Sequence, residues 1–345
     1  MTATIKSAAY TFDFTAEANR AMAAHAVMHA KTLFVSFNNK SGDMRDFIVA
    51  SAAHSQLMQD TPDIWGEASS YLEKYRKADS CLALRHTAHD AYSIIYSEAS
   101  HVTQIMAGQN EEELKAFIFD HEKFHILIPN AMGGEHIPPH MTESYADGGG
   151  AVQQIQRFGQ KGKDIAEYVA WYRLHDSLQT GKSKYMTSPV IDAVTDNITP
   201  VIARALSPEE TVEIITDMVN KHAFPESDLE QAMQAWSHLK GKISTDDLAR
   251  NSNVVWEQIM DTALNTAHPA TFYIGARLMT PLLQPGGFQA GKHIIKMPGT
   301  KQKAYARKLA NRAKAFGMEG LYQKLEQYIS PAPQASTHAE VKNVL

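Results

Sequence analysis

A single cysteine, Cys81, stands in the 345 residues of this chain. One thiol cannot close an internal disulfide, which points to a reducing compartment, and it excludes a zinc site built mainly of thiolates. Long apolar runs are missing as well, so no segment reads as a membrane-spanning helix. Nor is there an excess of positive charge: a formal net charge of −5 gives the chain as a whole no general pull toward nucleic acid or an anionic membrane. The N-terminal MTATIKSAAYTFDFTAEANR lacks the basic region and apolar stretch of a secretory leader. A cytoplasmic protein is therefore expected; leaderless export, as used by some injected bacterial effectors, is compatible with the same absences. No internal repeat or heptad series stands out. Gly181-Lys182-Ser183 lacks the rest of a phosphate-binding loop, because the first glycine of that pattern would fall at Asp176.

What is present concentrates between Asp120 and Asp147, DHEKFHILIPNAMGGEHIPPHMTESYAD. His121-Glu122-Lys123-Phe124-His125 is an H-E-x-x-H. Residues four apart on a helix share a face, so both imidazoles can reach one metal ion, while Glu122, turned by about 100°, reaches a water beside it. The helix has its own signals: Asn110 as N-cap, Glu111 to Glu113 at the positive end of the dipole, and Pro129 as its stop. Leu114, Phe117, Ile118, His121, Phe124, His125 and Ile128 follow helical spacing, so the histidines continue an inward stripe.

Zinc hydrolases usually add a third protein ligand and leave the fourth position to water. Eighteen residues past His125 comes Glu143-Ser144-Tyr145-Ala146-Asp147, on a second helix expected to start from Thr142 as N-cap after Pro138 and Pro139. Glu143 is the expected third ligand. Asp147, one turn further, is placed to accept the free ring N–H of a ligating histidine. After Asp147, Gly148-Gly149-Gly150 either break that helix or let another backbone come close.

This arrangement resembles the gluzincin branch of the zincin metallopeptidases, the thermolysin-like group, in which H-E-x-x-H on one helix is completed by E-x-x-x-D on the next. The resemblance covers about 28 residues, Asp120 to Asp147. It implies Zn²⁺ held by His121, His125 and Glu143, with Glu122 as general base and Asp147 behind a ligand. It further implies a donor for the oxyanion of the tetrahedral intermediate from beyond the third ligand; His175 is the first choice, with Tyr172 and Tyr185 behind it.

Other ligand sets fit the same chemistry less well. The metzincin pattern fails, because Ile128 and Ala131 stand where its glycine and third histidine belong. His136 and His140 are separated by two prolines and read as loop residues, with Glu135 beside them; each is a minor candidate ligand. His25 and His29 are four apart on an alanine-rich helix expected from Thr15 to about Lys31, with no carboxylate in the base position, and read as structural. His86, His89 and His101 read as structural residues of a helix over 79–106.

Elsewhere, residues 42–60 and 63–78 are expected to be helical, AYTFDF near the N-terminus is a possible short strand, LFVSF is a strand or a helix end, and a helix runs from Asp164 to Gln179. From Asp192 to Leu283 the pattern is helical, with starts at Ser207-Pro208 and Ser227-Asp228 and stops at Pro225 and Pro269. A basic segment, KHIIKMPGTKQKAYARKLANRAKAFG, reads as an amphipathic helix packed on the body, with an anionic surface or nucleic acid as the sharper alternative; a polar tail expected to be disordered follows. The expected fold is mainly α, multi-helix, with little β structure, divided at 1–109, 110–200, 201–283 and 284–345. The expected function is a zinc-dependent metallohydrolase, a peptidase, acting on a peptide or protein. The competing class is a helical interaction or effector protein with a structural or degenerate zinc site.

Overall fold

The computed structural model describes residues 10–37, parts of 59–70, 81–97, 111–133, 137–239, 252–284, 288–290, 293–295, 297 and 299–329. The chain is a mainly helical multi-helix protein with little sheet. It forms two compact units, each discontinuous in sequence: residues 1–167 with 197–221, and residues 168–196 with 222–345. Among the described residues, no helix is long and apolar enough to cross a membrane.

In the first unit, α1 (Phe14–Val27) starts from Asp13, whose carboxylate accepts the Ala16 N–H at 3.1 Å. It ends before His29, which adopts a left-handed φ of 56°, so the helix stops short of Lys31 and His25 and His29 share no helical face. LFVSF lies within strand β1 (Thr32–Phe37). Within the helix expected over 79–106, the described residues form a hairpin instead: β2 (Leu82–His86) pairs antiparallel with β3 (Ala91–Ser97), and β3 pairs parallel with β1, giving the order β1-β3-β2. The aromatic and β-branched run AYSIIYS suits a strand buried on both faces, and Asp90, at φ 46°, tolerates the turn that a helix reading overlooks. Alternation sorts the sheet's two faces. Phe34, Tyr92, Ile94 and Tyr96 join Phe14 and Phe119 on one, while Leu33, Val35, Ala91 and Ile95 join Ile64 and Ala68 on the other. AYTFDF forms no strand over its described residues, and the expected helix over 42–60, apart from residue 59, lies outside them, as do Asn110, Glu135, His136, His101 and the tail beyond 329.

Two long helices complete the frame of this unit, α2 (Glu111–Ala131) and α3 (Pro139–Phe158). Pro129 does not stop α2, which runs two residues further; in its last turn a proline removes only one helical hydrogen bond. α3 begins at Pro139, the first helical position where proline's fixed φ is favourable, so Thr142 is not the cap but donates its hydroxyl to the Pro138 carbonyl at 3.2 Å. The glycines do not break α3. A Cβ on Gly149 would lie 2.1 Å from the Phe124 ring, and one on Gly150 would lie 3.2 Å from the Phe117 ring; their bareness lets α3 lie against the aromatic stripe of α2. A buried ionic set ties α1, α2 and α3 together. Arg157 reaches Glu17 (2.9 Å) and Asp120 (3.0 Å), and Lys123 reaches Asp120 (2.9 Å) and Gln153 (3.0 Å).

α4 (Gln160–Thr180) passes from the first unit into the second, starting four residues before Asp164 because Gly159, at φ 63°, turns the chain directly out of α3. Beyond it come α5 (Ser188–Asn197), α6 (Pro200–Ala205) and α7 (Pro208–His222). Ser207 and Glu210 form a reciprocal capping box at the start of α7, with bonds of 3.2 and 2.8 Å. α8 (Glu226–Trp236) takes Pro225 as its cap, so Ser227 is already inside the helix. α9 (Ser252–Asn265), α10 (Pro269–Leu283), a short ladder of β4 (Phe288–Ala290) with β5 (His293–Ile295), α11 (Gly299–Ala315) and α12 (Glu319–Glu326) follow. Their shared core includes Trp236, Trp256, Phe272, Met279, Leu309 and Leu325. Inside it lies Asp192, held by two nitrogens of the Arg277 guanidinium (Nε 2.7 Å, Nη2 3.0 Å) and by the Tyr273 hydroxyl (2.6 Å), with Lys324 at 3.5 Å. Burial alone would raise the Asp192 pKa, but the Arg277 and Lys324 charges and these hydrogen bonds outweigh it and hold the carboxyl below its ordinary range.

Candidate metal centre

The candidate centre lies entirely within the first unit, between α2 and α3. α2 supplies His121, Glu122 and His125, one turn of a helix fixed from both sides. Phe119 and Ile126 pack toward the sheet and α1, while Phe124 seats on Gly149. α3 supplies Glu143 and, one turn on, Asp147. Because residues four apart on each helix stack along one face, the close approach at Gly149 brings the two pairs opposite each other.

Nε2 of His121 is 2.9 Å from Nε2 of His125 and 3.6 Å from a carboxylate oxygen of Glu143. One ligand atom from each of the three lies within 4.8 Å of the others. On its other side, His121 Nδ1 is 2.7 Å from Oδ1 of Asp147, which is fully buried. An ionised carboxylate can only accept, so Nδ1 carries the proton and the Nε2 lone pair of His121 points at His125 and Glu143. This donor set can take a cation: two imidazoles and a carboxylate meet at one point, His121 buried and His125 and Glu143 half-buried, where a proton or metal would offset their repulsion. Two nitrogens and one oxygen suit Zn²⁺, with Asp147 supplying the outer partner that ligating histidines require. Glu122 is nearly buried, 7% exposed, beside His121.

The other expected residues distribute as follows. His140 is buried in the first turn of α3 and is not part of the three-residue group. His25, buried against Phe34, shares a hydrogen bond of 2.6 Å between its Nδ1 and the Thr32 hydroxyl; burial, with help from the nearby Lys123 charge, holds its pKa down to about 3. It is thus a neutral core histidine. His86 lies on β2, not on a helix, and His89 in the turn after it. His86 bridges Glu67 (2.5 Å) and Ser93 (2.9 Å), an alignment that outwardly matches a serine nucleophile relay, but Ser93 is wholly buried in the central strand and has no approach for a substrate. Tyr172, His175 and Tyr185 all belong to the second unit, where the His175 ring stacks on Trp171 at 5.1 Å and Tyr185 is flanked by Arg173, Lys182 and Lys184.

Sequence reasoning missed the seat of Phe124 on Gly149 as the device that closes the site, although the triple glycine was its signal. It also missed the Asp192 cluster, signalled by an arginine in the otherwise apolar run TFYIGARLM. Comparison of the chain with protein-family models, with curated proteins and with solved structures returned no match.

Proposed function

We propose that this chain is a zinc-dependent metallohydrolase of the gluzincin kind, cleaving amide bonds in peptides or proteins, in a reducing compartment such as the cytoplasm. The observation that carries the reading is the convergence of His121, His125 and Glu143 with the far nitrogen of His121 committed to buried Asp147. A zinc ion held there would polarise a substrate carbonyl and make a neighbouring water a better nucleophile. The chain's own residues do the rest. Asp147 fixes the tautomer and ring plane of His121. Glu122 takes a proton from the attacking water and passes it to the leaving amine nitrogen. Phe124 against Gly149 keeps the spacing between the two helices from drifting. In the competing reading, a structural site is closed by a fourth protein donor such as His136 or His140; His140 stays outside the group, and His136 lies outside the described residues.

The test is metal analysis of the purified chain with a chelator-reversible cleavage assay on a mixed peptide library. Glu122→Gln is expected to retain about one zinc per chain, as the wild type does, and to lose turnover. Undiminished cleavage by that variant would refute the base assignment, and a wild-type chain that takes up no zinc would end the reading altogether.

A further inference from the structure

A second feature, independent of the metal centre, is helix α11 in the second unit. Its 17 residues, GTKQKAYARKLANRAKA, contain six cations and no Asp or Glu, in a chain whose net charge is −5. Such one-sided composition on one helix is unusual for a face that merely needs solvation, where both signs usually mix. The apolar side is fully used: Ala306, Leu309, Ala310 and Ala313 are buried in the core of the second unit. With about 100° of turn per residue, the cations fall into two rows on the remaining surface. Lys303, Arg307 and Lys314 run along one flank, Lys301, Lys308 and Arg312 along the other, and Ala304, Asn311 and Ala315 form a small-residue strip between them.

Two of the six are tethered. Arg312 donates to the Thr266 carbonyl, and Lys301 pairs with Glu257 at 3.4 Å in a solvent-exposed ion pair. Lys314 lies 5.4 Å from the centre of the Tyr322 ring. Lys303, Arg307 and Lys308 are exposed with no ion pair among the described residues. Like charges held along one rigid element repel one another, and a polyanion relieves that repulsion.

We propose that α11 is a docking element for the phosphate backbone of double-stranded DNA, lying along the major groove with one cation row on each bank. The fit is geometric as well as electrostatic. A helix with its side chains is about 10–12 Å across, close to the roughly 12 Å width of the B-form major groove, and the strip of alanines and asparagine leaves the groove floor unobstructed. The deep, narrow major groove of A-form RNA does not admit a helix. A membrane surface fits less well, because the apolar side that would enter the bilayer is already buried in the protein. Ala304 and Ala315 carry no hydrogen-bond donors and Asn311 is the one base-reading side chain of the strip, so binding is mainly of the backbone-reading kind and largely tolerant of sequence.

The experiment uses the full chain and a fluorescently labelled mixed-sequence DNA duplex of about 25 base pairs, a length covering more than two turns of the groove. Its affinity is followed by anisotropy from 50 to 200 mM salt. With four to six cations engaged, affinity should fall about 10²- to 10³-fold over that range. The triple substitution Lys303→Gln, Arg307→Gln and Lys308→Gln, at exposed sites where glutamine keeps helix propensity, should weaken binding at least tenfold and flatten the salt dependence by nearly three charges' worth. Circular dichroism shows whether the variant is folded; if it is not, Lys303→Gln with Lys308→Gln replaces it and should flatten the dependence by nearly two. Failure of the wild-type chain to bind the duplex at 50 mM salt, unchanged binding by a folded variant, or equal or tighter binding to an RNA duplex or to phosphatidylserine vesicles would overturn the proposal.

Discussion

Each unit of this protein gathers polar side chains into clusters, and two of these clusters are built on opposite principles. In the second unit, Asp192 is surrounded by donors: a guanidinium, a phenol and an ammonium all point at one carboxylate. Its charges answer one another and the cluster is closed. In the first unit, His121, His125 and Glu143 bring ligand atoms within 4.8 Å of one another, and Asp147 holds the outer nitrogen of His121. That cluster could hold a metal ion. A buried charge answered by its own chain holds a fold together, whereas converging ligand atoms are the arrangement that the proposed function draws on.

The comparison breaks most visibly if Asp192 is removed. Asp192→Ala takes its carboxylate away from buried Arg277, and should cost the second unit about 3–5 kcal/mol, read by denaturant unfolding and by hydrogen exchange in α10. Glu143→Ala in metal-free protein should cost roughly 1 kcal/mol or less, since its side chain is only partly buried. Similar costs for the two would erase the distinction between closed and open clusters.

Acid separates the units next. His25 is held neutral down to about pH 3, against an ordinary value of 6.5. Between those values the unfolded chain binds a proton that the native one refuses, so stability is full above about 6.5 and falls as pH drops toward 3. The contribution is on the order of a few kcal/mol. Asp192 is depressed from 3.8, so its contribution is full above that value and is lost only as pH falls below it. Hydrogen exchange at pH 5 should therefore show α1 and β1 loosened while α5 and α10 keep their protection. Replacing His25 with phenylalanine should flatten the first unit's response above pH 4; an unchanged slope would assign the acid sensitivity elsewhere.

A smaller effect tests the helix spacing. Gly149→Ala would normally help a helix by about 1 kcal/mol, but here its Cβ meets the Phe124 ring at 2.1 Å. A net loss of about 1–3 kcal/mol is expected, together with weaker zinc binding, measured by competition with a chromophoric chelator. The most local change is Asp147→Asn, which should lower zinc affinity about 10- to 100-fold without altering the unfolding of the second unit. Zinc affinity equal to wild type would remove Asp147 from the site.

Much of the centre was legible because it is local. H-E-x-x-H and Glu143 to Asp147 are each a single helical turn, and helical periodicity alone puts their side chains on one face. The hairpin Leu82–Ser97 was not legible as such, since a short apolar run reads as helix or strand until the sheet that receives it is known. β3 is a strand because β1, from a segment more than fifty residues earlier, pairs along its whole length. The Asp192 cluster escaped for a similar reason: Arg277 announces a buried partner, but nothing in the local pattern says that the partner is 85 residues away.

By itself, then, the order of residues determined which side chains share a helical face, where helices such as α1 and α7 begin, and that α11 carries charge of one sign. Only the tertiary structure decided that α3 continues through three glycines and closes on Phe124, that Asp147 thereby meets Nδ1 of His121, and that the histidines at 25 and 86 are core residues. The reason is range. Spacing within a turn is set by backbone geometry, which any sequence inherits, whereas the meeting of two turns 26 residues apart depends on how closely two particular surfaces pack.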